Sequence, residues 1–315
     1  MKGLILAAGY GKRLQPITHT LPKPMVPLCN RPLIAWAVES YLAAGVSELI
    51  INLHHLPEQM EIFVATEYAS RAEIVFSYEQ QILGTGGAIR RVQPLLEEEE
   101  DFFLVNGDTV QFPRYDALRA ARSDALAALT LRHPPPDDRF TPVWLENGRI
   151  TGFGDGRGET LMFAGSHCIS SRIFRYLPHE EEFGVVDRVY QPLLERGQET
   201  LAGIVDDGLW FDIGTLQRYL SASQGMLEAV VRGKVAPPSG SHIEGDSLVH
   251  DTAGGQVARS AVGERSQIRG EVRDSIIWND CTVDASLERC IVTHGASVTG
   301  EHRDALITPE GVFRL

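Results

Sequence analysis

Apolar positions change period repeatedly along the first half of this chain. Met1 to Ala8 is a short, nearly continuous apolar run, as expected of a buried strand. Pro32 to Ala44 places Leu33, Ala37, Tyr41 and Leu42 at helical spacing, with Gly45 as a cap. Ser47 to Leu53 again reads as strand, Pro57 to Tyr68 as helix, Glu73 to Tyr78 as strand, Thr85 to Glu97 as helix and Phe102 to Val105 as strand. This β-α-β-α-β rhythm predicts an α/β fold, with a Rossmann-like, mostly parallel sheet flanked by helices. In such sheets ligands bind beyond the C-terminal strand ends, and both Gly9 and Asp108 fall there. The middle section is less regular. Strands are predicted for Ala125–His133, Arg149–Phe153 and Leu161–Ile169, with a loop at Pro134-Pro135-Pro136-Asp137-Asp138. Short helices follow around Ser171–Tyr176 and Asp187–Arg196, and Leu216–Val231 is an amphipathic helix.

A shift in composition at Val235-Ala236-Pro237-Pro238-Ser239-Gly240 marks the predicted boundary between domains 1–234 and 235–315. An internal repeat lies beyond it. Val262, Ile277 and Val292 are spaced by 15 residues, as are Ile268, Val283 and Val298, and Val272 and Leu287 echo the offset. Apolar residues 6 apart within each unit, such as Ile277 and Val283, suit a short left-handed parallel β-helix of the hexapeptide type. The alternative is a set of ordinary antiparallel hairpins.

Charge and cysteine usage narrow the function classes. A formal net charge of −13 and a pI near 5.2 argue against nucleic acid or an anionic membrane as partner, but not against a nucleotide, which needs only a local cluster of cations. No secretory signal or membrane span is visible. Cys29, Cys168, Cys281 and Cys290 lie far apart without a C-x-x-C pair, so reduced thiols in the cytoplasm are the expectation. The acidic run Glu97–Asp101 reads as a solvated helix end, because consecutive helical glutamates point in different directions and cannot converge on one ion.

The opening strand runs straight into Gly9-Tyr10-Gly11-Lys12-Arg13-Leu14, and Pro22-Lys23-Pro24 follows. A glycine turn lets backbone N–H groups approach an anion, and Arg13 and Lys23 would neutralise a polyphosphate. Leu14 stands where the dinucleotide fingerprint needs its third glycine, and no Walker A pattern is present. Val105-Asn106-Gly107-Asp108-Thr109 puts a carboxylate at a strand end, fit for magnesium or simply an exposed turn aspartate. Trp210-Phe211-Asp212-Ile213-Gly214-Thr215 offers a second carboxylate to the same ion, and is equally a helix N-terminal signal. Glu79 to Ala88 holds a glycine-rich turn where Gln80 or Gln81 could read the edge of a base, or a plain strand-to-helix loop.

Taken in order, Leu6 to Pro16, Pro22-Lys23-Pro24, Leu83-Gly84-Thr85-Gly86-Gly87, Asn106-Gly107-Asp108 and Trp210-x-Asp212-Ile213-Gly214-Thr215 resemble the sugar-1-phosphate nucleotidylyltransferase family. Within it the chain is most similar to mannose-1-phosphate guanylyltransferases, which append a hexapeptide β-helix. The resemblance implies in-line attack of a sugar-1-phosphate oxygen on the α-phosphorus of an NTP, with Mg2+ as cofactor and pyrophosphate as leaving group. GTP and mannose 1-phosphate are the preferred pair, and uridylyl or thymidylyl transfer is the alternative. It further implies that Leu6, Ala7, Ala8, Gly9 and Gly11 hold the nucleotide with Arg13, Lys23, Gln80, Gly84, Thr85 and Asn106. Arg13, Lys23 and Asp108 would be catalytic, Asp108 and Asp212 would bind the metal, and Gly165 and Asp187 would meet the sugar. The family's Glu-Lys-Pro segment is missing from the middle section, and Phe163-Ala164-Gly165-Ser166-His167 matches the sugar-side strand only loosely. A non-catalytic nucleotide-sugar sensor is a competing class, against which the full set Arg13, Lys23, Asp108 and Asp212 speaks. An acyltransferase role for so short a β-helix is disfavoured. The β-helix is expected instead to support homo-oligomer contacts or a regulatory site.

Overall fold

The computed structural model describes residues 1–135, 140–154, 160–250 and 254–315. Pro136, Asp137 and Asp138 of the expected loop lie outside the described residues. The chain divides into two compact units, Met1–Tyr10 with Ile34–Trp210, and Gly11–Leu33 with Phe211–Leu315.

In the first unit, strands and helices alternate as β1 (Gly3–Leu6), α1 (Leu33–Ala43), β2 (Glu48–Leu53), α2 (Pro57–Tyr68), β3 (Glu73–Tyr78), α3 (Gly84–Arg91), α4 (Gln93–Leu96) and β4 (Asp101–Asn106). They continue as α5 (Tyr115–Arg122), β5 (Ala127–Arg132), β6 (Pro142–Glu146), β7 (Arg149–Phe153), β8 (Leu161–Ser170), α6 (Gln191–Glu195) and β9 (Leu201–Val205). The strands form one sheet in the order β3-β2-β1-β4-β8-β5-β9-β7-β6. Pairing is parallel from β3 to β4, and again between β5 and β9; β8, β7 and β6 run antiparallel to their neighbours. The expected parallel core is thus present, extended by a mixed half.

Alternation along the strands distributes the core over two faces. Leu4, Ile50, Leu104 and Leu129 join Ile89, Leu96, Val189 and Tyr190 in one buried cluster, which covers the face under α3, α4 and the 186–195 segment. On the other face the Phe103 ring meets Tyr115 of α5 at 4.9 Å, and Tyr115 meets Tyr41 of α1 at 5.3 Å. Tyr41 Oη donates a hydrogen bond to the Leu4 carbonyl, satisfying a phenol that would otherwise be buried unpaired.

Three local features depart from the sequence pattern. The helix expected over Thr85–Glu97 breaks at Val92, because Pro94 in the first turn of α4 has no N–H to continue the ladder of α3. Asp101 does not belong to a solvated helix end. It opens β4, is buried, and pairs with Arg122 Nε at 2.7 Å. The short helix expected at Ser171–Tyr176 is a single 3-10 stretch, and the next one enters through a π-turn at Val186–Tyr190. β6 and β9 carry no clear pattern of their own and are specified by their partners.

The second unit holds α7 (Leu216–Val231) and the C-terminal repeat. The repeat coils as parallel strands, and its register is the 15-residue offset of the sequence. Val262 pairs with Ile277, Ile277 with Val292 and Val292 with Ile307; Ile268 pairs with Val283 and Val283 with Val298; Val272 pairs with Leu287. All of these side chains are buried, forming the continuous inner stacks of a β-helix. A second ladder lines one corner. Ser260 N–H donates to Ser247 Oγ, Ser275 N–H to Ser260 Oγ, and Cys290 N–H to Ser275 Oγ, each hydroxyl closing a backbone donor of the next coil. At exposed corners Arg259 pairs with Asp274, Arg265 with Asp280 and Arg289 with Asp304, each again 15 residues on.

His167 of β8 is buried beside Tyr190 Oη at 3.1 Å, and burial pushes its imidazole down to about 3. The folded protein therefore keeps it neutral while the unfolded chain binds a proton below about pH 6.5. Unfolding takes up that proton, so stability is lost as pH falls from 6.5 towards 3. Denaturant titrations at pH 7 and 5.5 should show the parent losing roughly 1.4 kcal/mol more than His167→Gln. Equal losses in the two proteins would exclude His167 as the titrating group.

Candidate active site

The order β3-β2-β1-β4 reverses direction at β1, so the crevice between β1 and β4 is a topological switch point. Leu6 is in register with Asn52 of β2 on one side and Asn106 of β4 on the other. The turn Ala7-Ala8-Gly9 and the turn Gly107-Asp108 therefore leave adjacent strands at one edge of the sheet. Gly107 N–H donates to the Leu6 carbonyl at 2.8 Å, and a Cβ on Gly107 would sit 3.0 Å from that oxygen and from Ile5. A side chain would push the two turns apart, which explains the glycine before Asp108.

A buried polar relay ties this edge together. Ala7 N–H donates to Asn52 Oδ1 at 2.6 Å, Asn52 Nδ2 donates to Glu79 Oε1 at 2.7 Å, and Leu83 N–H donates to Glu79 Oε2 at 3.0 Å. Burial pushes the Glu79 carboxyl up, against the lowering effect of those donated hydrogen bonds. His54 Nδ1 lies 2.8 Å from the Glu79 carbonyl, and Tyr10 packs edge-on against the His54 ring. The sequence signal for Asn52 was slight, a single polar residue inside an apolar strand.

The motif Leu83-Gly84-Thr85-Gly86-Gly87 opens α3 with Gly84 in the left-handed region at φ +67°. Its glycines admit the 181–185 segment. A Cβ on Gly86 would lie 2.2 Å from the Phe183 ring, and one on Gly87 would lie 2.3 Å from the Glu181 carbonyl. Thr85 Oγ1 accepts a hydrogen bond from Val185 N–H at 2.9 Å. Gln80 is exposed just before this turn, and Asp187 is exposed just beyond the segment. Gly165, at φ +97°, is buried, and a Cβ there would lie 2.9 Å from Asn106 Nδ2. The first unit thus brings Leu6, Ala7, Ala8, Gly9, Asn106, Asp108 and Gly165 to one sheet edge.

In the second unit, Gly11 takes φ +61° and starts a 3-10 turn over Lys12–Leu14. Thr18 Oγ1 donates to the Gly11 carbonyl, and a Cβ on Gly11 would sit 2.9 Å from Thr18 Cγ2 and 3.0 Å from Lys23 Cβ. Lys23, buried to 7 % exposure, is thereby held against the glycine turn. Arg13 reaches the other end of the same unit. A Cβ on Gly214 would meet both Arg13 guanidinium nitrogens at 3.3 Å and Asp212 Oδ2 at 3.1 Å. Asp212 Oδ2 pairs with Arg218 Nη1 at 2.5 Å, while Thr215 caps α7 by accepting from Arg218 N–H. Gly11 thus adjoins Lys23, and Arg13 adjoins Asp212, a pair about 200 residues apart in sequence.

The segment carrying Lys23 is anchored from behind. Tyr219 Oη of α7 donates to the Pro27 carbonyl and accepts from Trp278 Nε1 of the β-helix. Asn30 Nδ2 donates to the Val262 carbonyl at 2.9 Å, and Cys29 Sγ contacts the Ser223 carbonyl.

Comparison with known proteins fits these motifs. The family model described as Nucleotidyl transferase matches residues 2–229. The chain belongs to the nucleotidyl transferase family. It is 29% identical over 274 residues to the mannose-1-phosphate guanyltransferase of Hypocrea jecorina, covering 80% of this chain and 72% of that protein. It is 26% identical over 257 residues to the UTP--glucose-1-phosphate uridylyltransferase of a Synechocystis strain, covering 75% of this chain and 66% of that protein. The fold is similar to the crystal structure of HddC from Yersinia pseudotuberculosis complexed with GMP-PN, with a TM-score of 0.60, 22% identity, and 71% and 99% of the two chains covered.

Gly86→Ala should cost about 1–3 kcal/mol, since the added methyl overlaps the Phe183 ring in a packed interior. Chemical denaturation reads the loss, and unchanged stability would show that the glycine is not required for this packing.

Proposed function

We propose that this nucleotidyl transferase moves a nucleoside monophosphate from an NTP to a sugar 1-phosphate, releasing pyrophosphate and forming an NDP-sugar. GTP with mannose 1-phosphate is the favoured pair, supported by the guanyltransferase relative. The uridylyltransferase relative keeps uridylyl transfer as the second reading. The observation that carries the proposal is the packing of Lys23 against the left-handed Gly11 turn, with Arg13 beside Asp212 and Gly214. That arrangement assembles two cations and a glycine turn, the chemistry a triphosphate requires.

The reaction follows from positioning and charge. A phosphate oxygen of the sugar 1-phosphate attacks the α-phosphorus in line, and the bond to the β-phosphate oxygen breaks as pyrophosphate leaves. Leu6, Ala7, Ala8, Gly9 and Gly11 offer backbone to the nucleotide, joined by Gln80, Gly84, Thr85 and Asn106. Arg13 and Lys23 stabilise charge on the phosphates, and Gly165 and Asp187 contact the sugar. Asp108 and Asp212 are the proposed magnesium ligands. Their hard carboxylate oxygens fit that ion, which supplies charge neutralisation on phosphate oxygens when bound. Magnesium takes one or two carboxylates and otherwise keeps water and phosphate oxygens. It therefore needs no cage of three or more acidic, His or Cys side chains, and none is found among the described residues.

Residues 1–234 are the proposed catalytic domain and 235–315 the β-helix domain. The family match over 2–229 supports the first part. We place the protein in the cytoplasm, an assignment supported by four buried free thiols. No helix among the described residues is long and apolar enough to cross a membrane. A homo-oligomer through the β-helix is supported by Val312 and Phe313, exposed on its last strand, Gly311–Arg314.

Pyrophosphate release should be measured for each NTP against a panel of sugar 1-phosphates with magnesium. Arg13→Ala should lower turnover by about 10²-fold or more, and a change confined to a doubled KM would remove Arg13 from that role. Asp108→Asn should reduce kcat far more than nucleotide affinity. Parental turnover at saturating magnesium would refute the metal-ligand assignment.

A further inference from the structure

We propose that Gln111 is a specificity-determining residue, whose side-chain amide hydrogen-bonds a hydroxyl of the sugar on the sugar 1-phosphate. The inference rests on the functional reading above and adds to it a residue that no motif marks. Gln111 ends the short strand Thr109–Gln111, three residues beyond Asp108, and is only 7 % exposed. Ser166 Oγ lies 3.1 Å from Gln111 Oε1 and 2.8 Å from Thr130 Oγ1, so a buried hydroxyl pair fixes one end of the amide. The other end, Nε2, is buried with no hydrogen-bond partner among the described residues. Leaving a buried amide group unpaired is costly, because its bonds to water are lost without replacement. A group kept there at that cost points to a partner that arrives from outside.

The direction of Nε2 identifies where that partner would sit. Opposite β5, the register of β8 slips between Phe163 and His167, so the backbone around Gly165 bulges out of its ladder. A Cβ on Gly165 would lie 3.4 Å from Gln111 Nε2 and 2.9 Å from Asn106 Nδ2. Two amide side chains therefore converge over a residue that has no side chain, on the sheet edge that carries Asp108. Gln111 also borders a small pocket with Thr130, Arg132, Ala164 and Trp210. Both amide nitrogens are neutral donors, and a sugar hydroxyl oxygen accepts from them. A phosphate oxygen accepts as well, but this neutral pair brings no cation to match its charge. A sugar hydroxyl is therefore the partner the pair suits.

The test uses the full chain with its best NTP held saturating, and the sugar 1-phosphate it turns over. Gln111→Met, close in volume but without the amide, should raise KM for the sugar 1-phosphate about tenfold while KM for the NTP stays within twofold. On the unaltered protein, one monodeoxy analogue of that sugar 1-phosphate should lose about tenfold in kcat/KM, and Gln111→Met should use that analogue and the parent sugar equally well. Should Gln111→Met not fold, Gln111→Asn, which withdraws the amide by one methylene, takes its place in both measurements. Constants within twofold for both substrates, or undiminished discrimination in the variant, would overturn the inference while leaving nucleotidylyl transfer intact. No pyrophosphate from the unaltered protein with any pair would instead defeat the functional reading, and this inference with it.

Discussion

The buried carboxylate of Glu79 is the constraint on which the first unit's sheet edge depends. Its two oxygens take donors from Asn52 and from Leu83, and Asn52 in turn accepts from Ala7. Glu79 thereby links three chain segments: the end of β2 and the loop before α3 directly, and the turn after β1 by way of Asn52. A buried polar network is stabilising only when every member is paired. Loss of any link would leave a desolvated carboxylate or amide, and the turn at Ala7 would lose its fixed height above the sheet. The register Leu6 with Asn106, and the close approach at Gly107, then carry that height across to Asp108.

The second unit solves a different problem, the seating of a cationic loop. The segment Gly11–Leu33 has no helix longer than a 3-10 turn to stiffen it. It is held by hydrogen bonds to rigid elements: to Tyr219 of α7, which Trp278 of the β-helix fixes in turn, and to the Val262 carbonyl at the end of a coil. The β-helix is a sound anchor because its coils are fixed twice over, by stacked apolar side chains within and by the serine ladder at the corner. Its contribution to Lys23 is made through packing and hydrogen bonds.

Legibility in the sequence followed periodicity. The 15-residue offsets of Val262, Ile277 and Val292 reappear as strand register, because in a coil the repeat length and the vertical pairing are one quantity. β1, β2 and β4 were legible because each buries a short apolar run between clear breakers, and β3 because its Ile74-Val75-Phe76 run stands out even though it is only half-buried. β9 was not, since Leu201-Ala202-Gly203-Ile204-Val205 gains its identity only from parallel pairing with β5. The glycine motif at 83–87 was visible as a motif, yet its fit around Phe183 was not, because the partner lies about a hundred residues away. The proximity of Arg13 and Asp212 was legible only from the ordered set of motifs, not from any one of them. Gln111 gave no signal at all, since an orphaned amide is a property of three-dimensional packing.

Charge distribution links these observations to a polyanionic substrate. The chain carries a net charge of −13, which by itself would repel a nucleoside triphosphate. Between Gly11 and Leu33, however, stand Lys12, Arg13, Lys23 and Arg31 with no aspartate or glutamate among them. The screening length at physiological ionic strength is about 8 Å. The potential an incoming phosphate meets near this loop is therefore set by the loop and its neighbours, and the distant carboxylates count for little. Within that radius the carboxylate of Asp212 is already matched by Arg218, so it does not cancel Arg13. Segregating these cations on one anchored loop sets them apart in sequence from the chain's acidic excess, and it requires that the loop be held as firmly as Tyr219 and Asn30 hold it.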